Sequence, residues 1–175
     1  MTQTSPAKEE GPDQAEELDL GLLADFVGPR VRLLWNLLSA RMADALEPYG
    51  LRPGAFSALA LISANPGCSQ KQLAHRLGMD KSAVVAIIHD LDRQGLATRV
   101  RHAQDRRFHA LKLTPKGQAL LQRTLAPASR PGRPIREALS LRELEQLLSL
   151  LDRAWRALLE ADRSVKPPAG SPRAR

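Results

Sequence analysis

The sequence lacks the residues that mark several common classes of protein. Its 175 residues include one cysteine, two tryptophans, one tyrosine and three phenylalanines. A single cysteine excludes an intramolecular disulfide framework and a cysteine-rich zinc module, and so few rings leave little for stacking single-stranded bases. No apolar run approaches the roughly 18 residues of a membrane span, so no membrane partner is expected. The acidic, polar segment 1–17 is the opposite of a secretory signal, and we expect a cytoplasmic protein.

Positive charge is present in excess and is unevenly distributed. The formal net charge is +7, and 43% of the residues are hydrophobic, enough for a core in a chain of about one domain. Segment 69–117 carries ten basic residues against four acidic ones. Such a cluster indicates either a polyanionic partner or a solvated surface. The acidic segment 1–17 and the basic, proline-containing segment 164–175 are predicted to be disordered tails.

Two segments have the apolar periodicity of long amphipathic helices. Segment 30–49 repeats apolar residues at helical spacing, with a second apolar strip at Leu33 and Leu37. Gly28-Pro29 should break or kink the approach to this helix, which leaves a short separate helical piece near 19–27. The other long helix should start at a capping box, Ser140 to Glu143, and carry a leucine-rich face.

Segment 69–94 has the pattern helix, short turn, helix. Ser69 and Gln72 form a capping box, Gly78 ends the first helix, and Asp80 is an N-cap for the second. Two stretches with the period of β-strands follow at 97–102 and 108–113, and a polar, basic tip lies between them. This order predicts a helix-turn-helix with a β-hairpin wing, in a mainly α fold.

Thr114-Pro115 marks the start of a further helix, with Thr as N-cap and Pro in the first turn. Three prolines between 127 and 134 should stop that helix or bend it sharply.

These residues identify a resemblance to the MarR (multiple antibiotic resistance regulator) family of bacterial winged-helix repressors. It is carried by "SQKQLAHRLGMDKSAVVAIIHDLDRQGLATR", by "DRRFHALKLTPKG" and by the order of elements over about 20–162. The resemblance implies a homodimer with interleaved terminal helices that binds double-stranded DNA at a palindromic operator, with half-sites about one helical turn apart. The implied domains are dimerisation helices over 18–49, a winged helix-turn-helix domain over 50–117 and closing dimerisation helices over 118–163. Such a protein would associate with the bacterial nucleoid.

The helix after Asp80 is then the recognition helix, and the residues off its core stripe face DNA. Lys81 and Ser82 can reach phosphates or base edges, whereas Ala83, Val85 and Ala86 can make only apolar contacts. Because the family often has a polar residue or Arg at the place of Ala86, direct readout should be sparse and DNA shape important. The full set of predicted DNA contacts is Ser69, Gln70, Lys71, Lys81, Ser82, Ala83, Val85, Ala86, His89, Arg101, Asp105, Arg106 and Arg107.

The wing carries the most specific of these predictions. By resemblance, Arg107 is the wing-tip arginine, which enters the minor groove where a narrow groove attracts a guanidinium. Asp105 would orient Arg107 or brace the wing by a charge-assisted bond.

Family members bind small aromatic acids or related anions, so a small aromatic acid or its coenzyme A thioester is the expected effector. The proposed lining of its pocket is Phe26, Arg32, Trp35, Arg52 and Phe56. No cofactor, metal or catalytic function is expected, because the sequence has no nucleophilic triad, phosphate-binding glycine-rich loop or paired acids. Two alternatives remain open: a winged-helix protein–protein interaction module without a DNA role, and a regulator that senses oxidants through Cys68.

Overall fold

The computed structural model of the protein describes residues 19–101 and 109–164. Within them the chain is mainly helical with one two-stranded antiparallel hairpin. The elements are α1 (Val27–Leu46), α2 (Pro53–Ala64), α3 (Gln70–Leu77), α4 (Lys81–Arg93), β1 (Ala97–Arg101), β2 (His109–Leu113), α5 (Pro115–Ser129), α6 (Arg133–Ala138) and α7 (Leu141–Ser164). Short 3₁₀ segments lie at Gly21–Leu23, Glu47–Tyr49 and Arg130–Gly132. Segments 1–18, 102–108 and 165–175, with both tails and the wing tip, fall outside this description.

The start of α1 differs from the sequence prediction. We expected Gly28-Pro29 to break the chain before a helix at residue 30, but α1 begins at Val27 and includes both residues. Pro29 is in the first turn, where a backbone N–H has no intrahelical partner, so its missing donor costs nothing. The separate helical piece expected near 19–27 is only the single 3₁₀ turn Gly21–Leu23.

The chain forms two compact units whose boundary falls inside α1, between Asn36 and Leu37. In the first unit the apolar residues of α1 are largely exposed: Val31 is 47% exposed, Leu33 63% and Trp35 68%. Helix α1 is therefore shared between the two units, and its N-terminal half presents an apolar surface to solvent.

The core of the second unit lies between α2, α3, α4, the hairpin and α5. Its buried apolar side chains are Leu46, Leu51, Ala58, Leu59, Ile62, Leu73, Ala74, Val84, Ile88, Leu91, Leu96, Ala97, Leu111, Leu121 and Ala128. Each fully buried Leu or Ile stabilises the fold by roughly 1.5–3 kcal/mol, so these elements hold one another in place.

The hairpin pairs β1 with β2 in an antiparallel register that matches Arg99 with Leu111. The loop before α3 extends this sheet, because the Gly67 N–H donates to the Leu111 carbonyl at 2.8 Å and the Leu111 N–H donates to the Cys68 carbonyl at 2.9 Å. The base of the wing is thereby joined to the chain that enters α3.

The C-terminal helices begin and end close to the predicted positions. Thr114 caps α5, which continues through Pro127 and ends at Ser129. Ser140 and Glu143 form the predicted capping box at the start of α7, with the Ser140 N–H donating to Glu143 at 2.8 Å. In the described part of the chain, no helix combines the length and the apolar character needed to cross a membrane.

Candidate nucleic-acid interface

The turn between α3 and α4 is built by local caps that the sequence predicts. Ser69 caps α3: its Oγ accepts from the Gln72 N–H at 3.2 Å, and the Gln72 side chain accepts from the Ser69 N–H at 2.8 Å. Gly78 ends α3 in the left-handed conformation, with φ of 62°, which a residue with a Cβ rarely adopts. Asp80 starts α4 by accepting from the Ala83 N–H at 2.8 Å. The two helices therefore meet at a sharp, well-capped turn.

Helix α4 has two distinct faces. Val84, Ile88 and Leu91 are buried in the core, which leaves the other side of the helix to solvent. That side carries the predicted contact residues Lys81, Ser82, Val85, Ala86 and His89. Ala83 is half-buried. Between Lys81 and His89, this exposed face thus carries the small side chains Ser82, Val85 and Ala86, of which only Ser82 is polar.

Asp80 engages one of the predicted DNA contacts. The Ser82 hydroxyl donates to the Asp80 carboxylate at 2.5 Å. This bond, followed by the Ala83 N–H, holds the pKa of Asp80 below its ordinary value of 3.8. Because the hydroxyl proton of Ser82 is engaged, Ser82 can meet DNA only as an acceptor unless it breaks this bond. Lys81 is then the strongest donor on the exposed face.

The N-terminus of α3 offers fewer free groups than the sequence suggests. The hydroxyl of Ser69 donates to the Gln72 side chain at 2.9 Å, so it serves the cap. Gln70 is half-buried and Lys71 is exposed. Lys71 is therefore the group of this helix start best placed to approach a phosphate.

The wing is described only at its base. The backbone of Arg101 ends β1, opposite His109. The predictions for Asp105, Arg106 and Arg107 lie outside the described residues. On β1, the Nε of Arg99 is buried and has no hydrogen-bond partner among the described residues.

The start of α5 is hydrogen-bonded to the segment that connects α4 with β1, through contacts that the sequence does not reveal. The Thr114 hydroxyl donates to the Gly95 carbonyl at 2.6 Å, and the Thr114 N–H donates to the Leu96 carbonyl at 3.1 Å. The Lys116 ammonium donates to the Gln94 carbonyl at 2.9 Å. A lysine beside the last carbonyls of a helix also suits the helix dipole.

Gly117 completes this junction. A Cβ on Gly117 would overlap the Leu96 carbonyl oxygen and lie 2.8 Å from the Leu96 carbonyl carbon. These contacts explain the motif Leu113-Thr114-Pro115-Lys116-Gly117. Thr114 caps α5, Lys116 donates to the Gln94 carbonyl at the end of α4, and Gly117 leaves space for the Leu96 carbonyl. From sequence alone, the cap was the only part of this junction that could be read.

The predicted ligand-pocket residues fall in both compact units. Phe26, Arg32 and Trp35 belong to the first unit, and Phe26 and Trp35 are 59% and 68% exposed. Arg52 and Phe56 belong to the second unit, before and within α2, with Arg52 exposed and Phe56 half-buried. The pocket therefore remains a prediction.

Cys68 lies half-buried in the loop before α3, at the edge of a cavity of about 550 Å³. Burial raises the pKa of its thiol above the ordinary value of 9.0. A raised pKa lowers the thiolate fraction, and the thiolate is the form that oxidants attack. The environment of Cys68 thus opposes the redox alternative. Among residues 19–101 and 109–164, no group of three or more potential metal ligands is found.

A capped two-helix turn, an exposed face on the second helix and a following β-hairpin define a winged helix-turn-helix protein. The comparisons with known proteins place the chain within that class. A family model described as MarR family matches residues 49–107. A protein of Thauera aromatica described as "Putative transcriptional regulatory protein for hcr operon" is 33% identical over 117 residues, which are 67% of this chain and 70% of that protein.

Solved structures with the same fold point to the same family. The transcriptional repressor CouR, bound to a 23-mer DNA duplex, has a TM-score of 0.70 and 34% identity, over 79% of this chain and 98% of that one. CouR from Rhodococcus jostii RHA1, bound to p-coumaroyl-CoA, has a TM-score of 0.69 and 24% identity, over 76% of this chain and 94% of that one. The chain belongs to the MarR family of DNA-binding transcriptional regulators.

Proposed function

We propose that this protein is a repressor that binds a palindromic operator as a homodimer. We propose further that a small aromatic acid, or its coenzyme A thioester, releases it from DNA. The protein would act in the cytoplasm, on the DNA of the nucleoid. The observation that carries the proposal is the distribution of exposed apolar residues, which concentrate on α1 and α7, at the two ends of the described chain.

Helix α7 supports the dimer most directly. Along its apolar side Leu148 is 56% exposed, Leu151 47% and Leu158 66%. Contiguous apolar surface of this kind on a soluble regulator marks a site of association. A second copy of the chain is the natural partner, because symmetric dimers are the commonest assemblies and a palindrome requires two readers.

The exposed face of α4 supports recognition of DNA with few direct hydrogen bonds to bases. Val85 and Ala86 offer only apolar surface, such as a thymine methyl would meet. Lys81 and Lys71 supply charge for phosphates. Sequence preference would then depend strongly on the wing and on DNA shape, with Arg107 in the minor groove and Asp105 beside it.

The effector proposal rests on the family and on two relatives of the same fold. The Rhodococcus jostii CouR structure holds p-coumaroyl-CoA, and a Mycobacterium tuberculosis MarR-family protein is in complex with salicylic acid. An aromatic carboxylic acid, free or as its coenzyme A thioester, is the chemistry these ligands share. Arg32 and Arg52 remain the arginines that we predict to meet its negative charge.

Selection of bound sites from a random duplex pool tests the operator and the dimer together. A palindrome with half-sites about 10 base pairs apart, bound by a protein that sediments as a dimer, is the expected result. Arg107→Ala should cost about 1–3 kcal/mol of operator binding by fluorescence anisotropy, whereas Arg136→Ala on α6 serves as the matched loss of charge outside the winged core. Monomeric protein that ignores every duplex at low salt would refute the proposal.

The effector arm uses the selected operator. Benzoate, 4-hydroxycinnamate and p-coumaroyl-CoA are titrated into the complex, and release is followed by anisotropy. Release by one of them, together with repression of a reporter placed behind the operator, supports a ligand-relieved repressor. Activation of that reporter would contradict the repressor assignment and leave the DNA-binding result standing.

A further inference from the structure

Trp155 of α7 contacts the turn between α3 and α4. A Cβ placed on Gly78 would lie 3.1 Å from Cη2 and 3.6 Å from Cζ3 of Trp155. Gly78 is the left-handed residue that ends α3 and leads through Asp80 into α4. The edge of the indole ring therefore sits against the backbone of the turn, at a distance that a larger residue would disturb.

Helix α7 packs on the helix-turn-helix less extensively than the core elements pack on one another. A groove that is open to solvent, about 430 Å³ in volume, lies between α7 and the helix-turn-helix, and its lining residues are Leu61, Arg76, Leu77, Gly78, Leu151, Asp152 and Trp155. In the described part of this unit, the extensive packing is among α2, α3, α4, α5 and the hairpin, and α7 is not among the closely packed pairs. The Trp155 ring thus lines this groove together with Gly78, and the turn before α4 meets α7 at this ring.

We propose that Trp155 is a positioning residue that transmits the orientation of α7 to the turn before α4. The inference rests on the proposed dimer, in which α7 joins the two copies. If α7 is anchored in the dimer and Trp155 holds the turn, the separation of the two α4 helices is set through this ring. Loss of the ring would let each winged helix-turn-helix tilt relative to α7, although the surface that contacts DNA would itself be unchanged.

The physical consequence is specific to binding at two half-sites. The second contact of a bivalent binder depends on how well its geometry matches the span between sites. A loosened connection lowers affinity for the full operator and weakens discrimination between correct and altered spacings. Affinity for a duplex with one half-site, which engages one reader, does not depend on that connection.

The test compares wild type, Trp155→Ala and Trp155→Phe on three duplexes: the selected operator, a single half-site, and the operator with its half-sites moved apart by about two base pairs. For Trp155→Ala we expect half-site affinity within about twofold of wild type and operator affinity lower by about 10–100-fold. Its preference for the correct spacing should also shrink, and Trp155→Phe should restore most of both. Leu125→Ala, a matched apolar truncation on α5 at a residue that is 45% exposed, should keep the wild-type ratios.

An unchanged ratio of operator to half-site affinity in a folded, dimeric Trp155→Ala protein would overturn this inference and leave the proposed function intact. Wild-type protein that is monomeric or lacks any preference for a palindrome would overturn both.

A second measurement covers the case in which Trp155→Ala does not fold. The chain has two tryptophans, so Trp35→Phe leaves Trp155 as its single indole fluorophore. Acrylamide quenching of that fluorophore should stay well below the urea-unfolded value, both in the free protein and on the operator. Quenching on the operator that equals the unfolded value would show that the contact is absent when DNA is bound, and the inference would fail.

Discussion

Gly117→Ala should destabilise the protein through a backbone clash that no rotamer change can relieve. The added methyl would overlap the Leu96 carbonyl oxygen, and it would lie 2.8 Å from the carbonyl carbon and 3.2 Å from the Cα of Leu96. Ordinary carbon–carbon contacts are about 3.5–4.0 Å. The first turn of α5 must therefore move away from Leu96, on the order of 1 Å by the difference from that ordinary contact distance.

That movement also breaks bonds at the same junction. The Thr114 N–H to Leu96 bond of 3.1 Å and the Thr114 hydroxyl to Gly95 bond of 2.6 Å both span the gap that would widen. Overpacking costs about 1–3 kcal/mol and each of the two lost hydrogen bonds about 1 kcal/mol, so we expect a total of about 3–5 kcal/mol. This corresponds to a fall in Tm on the order of 5–15 °C.

Urea and thermal unfolding followed by circular dichroism at one fixed protein concentration measure the effect, because dimer formation makes Tm depend on concentration. Gly132→Ala is the matched control, since no atom lies within 4 Å of a Cβ built there and its φ is −85°. We expect that control to stay within about 1 kcal/mol of wild type. A Gly117→Ala protein as stable as the control would refute the reasoning about the junction.

Three further predictions follow from local geometry. Gly78→Ala should lower the free energy of unfolding more than Gly95→Ala. Both glycines are left-handed, so each substitution costs about 1–2 kcal/mol, but only Gly78 has the Trp155 ring against it. Equal urea midpoints for the two variants would contradict this. Asp80→Asn should lower Tm at neutral pH, and the gap should close as pH falls below 3.8 through the lowered folded pKa of Asp80; a gap that is constant down to about pH 2.5 would disprove the role of the charge. Cys68 should react with a maleimide more slowly in the native protein than in urea, because burial raises the pKa of its thiol; equal rates in the two conditions would favour the redox-sensing alternative.

Local signals made most of the fold predictable. Ser69, Asp80 and Thr114 each cap the helix that the sequence assigned to them. Side-chain oxygens at an N-cap satisfy amides only two or three residues away, so the pattern is visible in a short stretch of sequence. The buried stripe of α4 was equally legible, because helical periodicity alone places Val84 and Ile88 on one side.

The error at Gly28-Pro29 shows where local signals mislead. Proline breaks a helix interior but suits a first turn, and the sequence pattern did not show that α1 starts at Val27. The candidate site, like the fold, was predictable only in part. The exposed face of α4 emerged from periodicity, whereas the engagement of Ser82 with Asp80 changed which group can donate to DNA.

By itself, then, the amino-acid order determined the helices, the hairpin and the resemblance to the MarR family, because caps, periodicity and turn residues act over a few neighbours along the chain. Tertiary structure decided which distant groups meet: Lys116 with the Gln94 carbonyl, Gly117 with Leu96, and Trp155 with Gly78. Such meetings depend on how whole elements pack, and small displacements of a helix make or break them. No local pattern encodes that fit, so these contacts become visible only when the chain is folded.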